Sequence, residues 1–137
     1  MSKENVEIVR QATDAYRRRA YAEAPNWMDP EIIWDMSNLE VPDAGVYRGF
    51  DELLEFMSSW EESWEGVDVE PIEFIEVGDQ VVTVVHQFGR GKLSGAEVEQ
   101  TFAQVWTLRG AKIVRMVMYP DREAALEAAE TTARTRR

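Results

Sequence analysis

Three turns divide the second half of the chain, and their spacing constrains the fold more than any other feature. Gly78-Asp79 suits a tight two-residue hairpin, residues 89–95 contain three glycines, and Arg109-Gly110-Ala111 forms a third turn. The segments between these turns are rich in β-branched and aromatic residues and cover 69–77, 80–88, 98–108 and 112–119. Because short turns join antiparallel neighbours, the pattern predicts an antiparallel meander.

The first half and the C-terminal end carry helical patterns instead. A first helix is predicted over 2–19, with Ser2 as its cap, and a second over 51–64, where apolar residues recur at three- and four-residue steps. A short helical turn is expected within 20–30. A closing helix over 121–130 is rich in alanine and glutamate. Helices followed by a meander indicate the α+β class.

One further strand is predicted at 31–37, and it carries a carboxylate inside an apolar run. The strand period of two places Asp35 on one face with Ile33 and Ser37, and it places Trp34 on the other face. Because an unpaired buried carboxylate is costly, Asp35 must either reach water at an edge or line an internal cavity. We interpret Asp35 as part of the floor of a pocket.

Composition narrows the function classes. The 137 residues suit a single domain over 1–130, followed by a basic tail over 131–137 that we expect to be disordered. The net charge of −11 disfavours binding to nucleic acid, whose phosphates would be repelled. No apolar run approaches the roughly 18 residues of a membrane span, and no signal pattern precedes the first helix, so we expect no membrane partner and a cytoplasmic location.

Metal and cofactor chemistry is not expected from these residues. The chain has no cysteine and one histidine, His86, so a transition-metal site lacks its usual ligands. The glycines at 89–95 lack both the strand-to-helix setting and the Lys-Ser/Thr ending of a phosphate-binding loop. We therefore interpret them as hairpin glycines, and no organic cofactor is predicted.

Several short sequences, in this order of elements, carry a family resemblance. They are Tyr47-Arg48-Gly49, Val77-Gly78-Asp79, Gly89-Arg90-Gly91, Ser94-Gly95, Val105-Trp106-Thr107, Ile113-Val114-Arg115 and Tyr119-Pro120-Asp121. With them the chain resembles SnoaL-like proteins of the nuclear transport factor 2-like superfamily over about residues 5–130. The resemblance implies a ketosteroid isomerase-like cone: a strongly curved, mostly antiparallel sheet wrapped by N-terminal helices around an apolar pocket, with a short C-terminal helix. It also implies a homodimer through the outer face of the sheet.

The resemblance also implies candidate catalytic residues. Asp35 matches the catalytic aspartate of the ketosteroid isomerase branch, and Tyr16 looks like the match for its oxyanion-hole tyrosine. Gln104 falls where that branch has a protonated aspartic acid, so the second donor would be an amide. A carboxylate base with two neutral donors is the set that enolisation requires.

Two further arrangements are open at the level of sequence. His86 is either a general base, oriented by a carboxylate such as Asp35, or an ordinary sheet residue, and the sequence does not decide which face of its strand points inward. An epoxide-hydrolase set would need a second interior acid beside Asp35 and a cation such as Arg90 or Arg115. The later strands offer no such acid.

Aromatic and methionine side chains either line an open pocket or fill the core, and we predict a pocket. Its expected lining is Trp27, Phe56, Trp60, Phe102, Trp106, Met116 and Met118. The predicted function is binding of a small apolar molecule, with cofactor-independent isomerase, cyclase or hydrolase activity on a carbonyl or epoxide, using Asp35 as the base. The alternative is a non-catalytic ligand-binding or dimeric interaction domain.

Overall fold

The computed structural model describes residues 2–40 and 44–135, apart from the side chains of residues 2 and 3. The predicted cap, the side chain of Ser2, thus lies outside the described part. The described elements are α1 (Ser2–Arg17), a 3-10 helix (Tyr21–Asn26), β1 (Met28–Asp35), β2 (Val46–Arg48), α2 (Gly49–Glu62), β3 (Trp64–Val77), β4 (Gln80–Gly91), β5 (Glu97–Arg109), β6 (Lys112–Tyr119) and α3 (Arg122–Thr135). Within them no helix is long and apolar enough to cross a membrane.

All six described strands belong to one sheet in the order β2-β1-β6-β5-β4-β3. Strands β3 to β6 form the predicted antiparallel meander, with two-residue turns at Gly78-Asp79 and Gly110-Ala111. Strand β1 lies beside β6 in parallel, which makes the sheet mixed, and it pairs with β2 in the antiparallel sense. The predicted α+β class is therefore confirmed.

The ends of several elements differ from the prediction, and those of β3 and α3 differ most. Strand β3 begins at Trp64 rather than at residue 69, and it continues through two register shifts along its pairing with β4. Helix α3 continues to Thr135, so the expectation of disorder is wrong for residues 131–135. Gln80 Nε2 donates to the carbonyl of Ala129 at 2.9 Å, which holds the helix against the sheet, and the Thr132 hydroxyl donates back to the preceding turn. Arg136 and Arg137 lie outside the described residues.

Hydrophobic residues pack on both faces of the sheet. On the inner face, α1 and α2 cover a core that includes Val9, Ile32 and Val81. On the outer face, α3 places its small residues Ala125 and Ala129 against Val82 and its neighbours. Because consecutive strand residues point to opposite faces, Val81 and Val82 serve different layers.

Candidate functional site

A cavity of about 580 Å³ lies between the inner face of the sheet and the helices α1 and α2. This volume falls within the range of about 300–1,000 Å³ typical of ligand pockets. Six of the seven predicted pocket residues line it: Trp27, Phe56, Trp60, Phe102, Trp106 and Met118. The prediction is wrong for Met116, which is fully buried in the core. Its register partners Trp34 and Trp106 flank it, and their rings meet edge to face with centroids 5.6 Å apart.

Tryptophan dominates the cavity wall. All five tryptophans of the chain contribute to it: Trp27, Trp34, Trp60, Trp64 and Trp106. The predicted lining omitted Trp34 and Trp64. The alternation along β1 already placed Trp34 and Asp35 on opposite faces of the strand. That pattern did not show which of the two side chains points into the cavity.

Asp35 does not line the cavity, and its predicted position at the pocket floor is wrong. Its neighbours Trp34 and Met36 line the cavity instead. The Asp35 carboxylate accepts hydrogen bonds from the backbone nitrogen and the hydroxyl of Ser37, at 2.9 and 2.6 Å. Its other oxygen lies 3.7 Å from Nη2 of Arg115. The period of two was predicted correctly, but the inward face of β1 is the one that carries the tryptophan.

His86 also points away from the cavity. Its neighbours Val85 and Gln87 line the cavity, whereas His86 Nε2 lies 2.8 Å from a carboxylate oxygen of the exposed Glu99. Strands β5 and β6 separate His86 on β4 from Asp35 on β1. The structure thus does not bring the two predicted bases together, and neither is placed to act on a molecule inside the cavity.

Tyr16 and Gln104 both line the cavity. Among the described residues, the Tyr16 hydroxyl has no hydrogen-bond partner, while its ring packs against Tyr21 and Trp60. Burial, with a smaller contribution from the nearby Tyr21, raises the pKa of Tyr16 above its ordinary value. Gln104 is also buried, and its Oε1 lacks a partner within the described part. These two predicted donors therefore line the same cavity.

The described lining contains no aspartate, glutamate, lysine, arginine or histidine. Its polar side chains are Thr13, Tyr16, Tyr21, Ser63, Gln87, Gln100 and Gln104, together with the indole nitrogens. Nor do the described residues contain a cluster of three or more potential metal-ligating acids or histidines. The cavity is thus neutral and mostly apolar, with a few hydrogen-bonding groups.

A polar network joins three elements of the cavity wall. Tyr21 of the 3-10 helix donates to Oε2 of Glu61 on α2 at 2.6 Å, and Arg19 Nε lies 2.8 Å from the other oxygen of the same carboxylate. Arg19 Nη2 also donates to the carbonyl of Val67 on β3 at 3.1 Å. Burial and the hydrogen bond to Glu61 raise the pKa of Tyr21. The network therefore connects the 3-10 helix, α2 and β3 around the cavity.

Comparisons with known proteins agree with this architecture. TerC, whose structure was determined with co-crystallised polyporic acid, is 26% identical, with 93% of this chain and 98% of that chain covered and a TM-score of 0.75. An NTF2-like protein from Burkholderia thailandensis E264 is also 26% identical, with 94% and 97% covered and a TM-score of 0.78. A putative SnoaL-like polyketide cyclase from Jannaschia sp. CCS1 is 18% identical, with 95% and 94% covered and a TM-score of 0.76, which shows likeness of fold.

The sequence comparisons identify the family. None of the curated proteins compared matches the chain. The family model of the SnoaL-like domain matches residues 9–116, which is most of the chain and includes α2, strands β1 to β5, the first part of β6 and all of the cavity lining except Met118. The chain therefore belongs to the SnoaL-like domain family, as the resemblance predicted.

Proposed function

We propose that this protein binds a small, neutral, mostly apolar molecule in its internal cavity. The observation that carries the proposal is a cavity of about 580 Å³ whose described lining is rich in tryptophan and free of charged side chains. An apolar body gains free energy by leaving water for such a space, whereas an ion would lose its hydration without finding a partner. TerC, a 26% identical protein co-crystallised with polyporic acid, supports small-molecule binding on this fold.

A set of matched probes tests this proposal. Equilibrium dialysis would compare 2-ethylnaphthalene and 2-acetylnaphthalene, which are neutral, with 2-naphthoate, which is an anion at pH 7.5. We expect both neutral probes to bind and the anion to bind at least about 10-fold more weakly, because its charge would be desolvated without a counter-ion. Equal binding of the anion, or no binding of either neutral probe, would contradict the proposal.

Filling the cavity provides the structural control. Ala12 and Ala15 of α1 are buried and line the cavity, so Ala15→Phe would occupy part of its volume. We expect this variant to lose affinity for both neutral probes while it keeps the far-ultraviolet circular dichroism of the wild type. The matched variant Ala96→Phe, at an exposed position between β4 and β5, should bind as the wild type does.

Cofactor-independent proton transfer on a small carbonyl or epoxide is the second candidate function. It is supported by Tyr16 and Gln104, two neutral groups in one cavity that could stabilise charge developing on a substrate oxygen. No carboxylate or imidazole of the described residues lines the cavity, so proton abstraction would depend on hydroxide from the solvent.

Hydrogen–deuterium exchange at the methyl group of 2-acetylnaphthalene, followed by NMR, tests this second function. We expect exchange above the buffer rate in the wild type, a lower rate in Tyr16→Phe and no change in Asp35→Asn. If the wild type exchanges the methyl protons only at the buffer rate, the proton-transfer function is contradicted, and the binding function is unaffected.

Homodimerisation through the outer face of the sheet is a further proposal. Helix α3 covers part of this face around Val82 and Ala103. His86 and Thr101 are register partners across β4 and β5, beyond that cluster, and they belong to the uncovered part. Sedimentation velocity should show a dimer for the wild type and a monomer for Thr101→Arg. A monomeric wild type would contradict this proposal.

A further inference from the structure

The wall of the cavity has a seam between the 3-10 helix and α2. On the cavity side, the ring of Tyr16 lies between the rings of Tyr21 and Trp60, with a centroid distance of 6.2 Å to each, and all three residues line the cavity. On the solvent side, the Glu61 carboxylate accepts the Tyr21 hydroxyl at 2.6 Å and lies 2.8 Å from Arg19 Nε. The two elements are thus joined by ring contacts inside and by a polar network outside.

The cavity reaches solvent beside this seam. Ser63, which follows Glu61 by two residues, lines the cavity and is exposed. Gln100, near the start of β5, is also an exposed residue of the lining. Separation of the 3-10 helix from α2 would therefore widen an opening to the cavity.

The 3-10 helix is the weakly packed side of the seam. None of the residues Tyr21–Asn26 is buried. Helix α2, by contrast, buries Leu53, Phe56 and Met57. Segments with few buried apolar contacts are the ones that open locally at the lowest cost in free energy. The 3-10 helix is therefore the element that we expect to move, and Arg19, whose φ of 62° is uncommon for a residue with a side chain, lies where it leaves α1.

The two ends of the 3-10 helix are held differently. Its C-terminal end is anchored to β6, because Lys112 Nζ donates to the carbonyls of its last two residues at 2.8 and 3.1 Å. Its N-terminal end is joined to α2 through the Glu61 carboxylate, which contacts both Tyr21 and Arg19. Loss of these contacts would therefore release the N-terminal end from α2.

We propose, on the basis of the binding function proposed above, that this seam is a gate to the cavity and that Tyr21, Glu61 and Arg19 form its latch. A ligand enters and leaves when the N-terminal end of the 3-10 helix swings away from α2. Because Glu61 and Arg19 lie outside the cavity lining, they stabilise the closed wall whether or not a ligand is bound. The two charged residues are thus positioning residues that act on the rates of exchange and not on affinity.

Ligand exchange rates test the gate. Stopped-flow tryptophan fluorescence would measure the association and dissociation rate constants of 2-acetylnaphthalene. Tyr21→Phe keeps the ring in the wall but removes the hydroxyl that donates to Glu61, so both rate constants should rise by about 10-fold, the effect of one hydrogen bond to a charged group. The dissociation constant should then change by less than about twofold, since the two increases cancel. Glu61→Gln should raise both rate constants in the same way, whereas the matched variant Glu62→Gln, at the exposed neighbouring position, should exchange as the wild type does.

Amide hydrogen exchange of the ligand-free protein, followed by NMR, separates a gate from a general loss of stability. The amides of Ala20 and Glu23 donate to the carbonyls of Ala15 and Ala20, at 2.8 and 3.0 Å, and they report on opening of this segment. In both latch variants these two amides should exchange about 10-fold faster. The amide of Ala125, in α3 on the other side of the sheet, should exchange at the wild-type rate.

Several outcomes would overturn the gate. Unchanged rate constants for the ligand, or unchanged exchange of the Ala20 and Glu23 amides, would do so. Equal acceleration at Ala125 would show a loss of global stability instead, and a rise in the dissociation rate constant alone would make Tyr21 a ligand contact. If neither neutral probe binds, the binding function is contradicted, and hydrogen exchange then decides the latch: faster exchange confined to the segment supports it, and unchanged exchange overturns it.

Discussion

Trp34 and Asp35 are adjacent in sequence, yet they lie on opposite sides of strand β1. Trp34 is 5% exposed and lines the cavity. Asp35 lies beside Arg115, with 3.7 Å between carboxylate oxygen and guanidinium nitrogen. A shift of one residue in the pairing register of β1 would exchange the two side chains and place a carboxylate in the cavity. This alternation keeps β1 from contributing a charged side chain to the cavity wall.

Asp35→Asn should leave ligand binding unchanged. Asparagine keeps an oxygen that can accept the two hydrogen bonds from Ser37, and the ion pair that it loses involves a half-exposed Arg115. We expect the free energy of unfolding to fall by less than about 1 kcal/mol, as measured by urea denaturation. The dissociation constant for 2-acetylnaphthalene should stay within about twofold of the wild-type value, which is less than the effect of one hydrogen bond. A tenfold loss of affinity would contradict this prediction and show that Asp35 contributes to ligand binding.

Tyr16→Phe should reduce the loss of stability at alkaline pH. Burial raises the pKa of Tyr16, so the hydroxyl stays protonated in the folded state while the unfolded chain ionises near pH 10. The unfolded state then binds fewer protons, and the free energy of unfolding falls as the pH rises above about 10. Urea unfolding at pH 8 and 10.5 should show a smaller decrease for Tyr16→Phe than for the wild type. Equal decreases would show that Tyr16 does not contribute.

The ion pair between Arg17 and Asp68 should stabilise the fold in a pH-dependent way. Arg17 Nε and Nη2 lie 2.9 and 2.6 Å from the two carboxylate oxygens, which connects α1 to β3. The hydrogen bond from Arg17 lowers the pKa of Asp68, although burial acts in the opposite direction. The unfolded chain therefore takes up a proton first as the pH falls, and the stabilisation is present at neutral pH and lost below about pH 5.

Asp68→Asn tests this ion pair. We expect it to lower the free energy of unfolding by about 0.5–1 kcal/mol at pH 7, because both side chains are partly exposed, and by less at pH 3. Glu65→Gln, which removes an exposed carboxylate from the same strand, provides the control. A loss that is the same at both pH values would argue against a role for the charge.

Ala111→Gly should stabilise the protein. Gly110 and Ala111 form the turn between β5 and β6, and both have positive φ angles, of 56° and 64°. This conformation suits glycine and is strained for alanine. We expect the variant to gain about 0.5–1 kcal/mol and Gly110→Ala to lose a similar amount. No heavy atom lies within 4 Å of a Cβ built at Gly110, so the effect there is conformational, and thermal unfolding would measure both variants.

Local sequence patterns predicted most of the secondary structure. The turns at Gly78-Asp79 and Gly110-Ala111 lie where the glycines predicted them, and the strands on either side of each turn pair as an antiparallel meander. Helix α3 extended beyond its predicted end because contacts such as that between Gln80 and Ala129 join segments that are distant in sequence. A local pattern carries no information about such contacts.

The candidate site was predicted in part. Tyr16 and Gln104 reached the cavity as expected, whereas Asp35 and His86 did not. A strand period of two determines which residues share a face, but both faces of this sheet are covered by helices in places, so hydrophobicity alone does not identify the inner one. Met116 shows the same limit, because it points inward but is enclosed by neighbours from two other strands.

The sequence by itself therefore determined the strands and turns of the meander, the family and an aromatic-rich lining, all of which depend on local pattern and composition. Only the tertiary structure decided that α1 and α2 cover the face of β1 that carries Trp34 and leave Asp35 outside. The physical reason is that burial of the larger apolar surface selects the inward face, and that choice is made by packing between elements far apart in the chain.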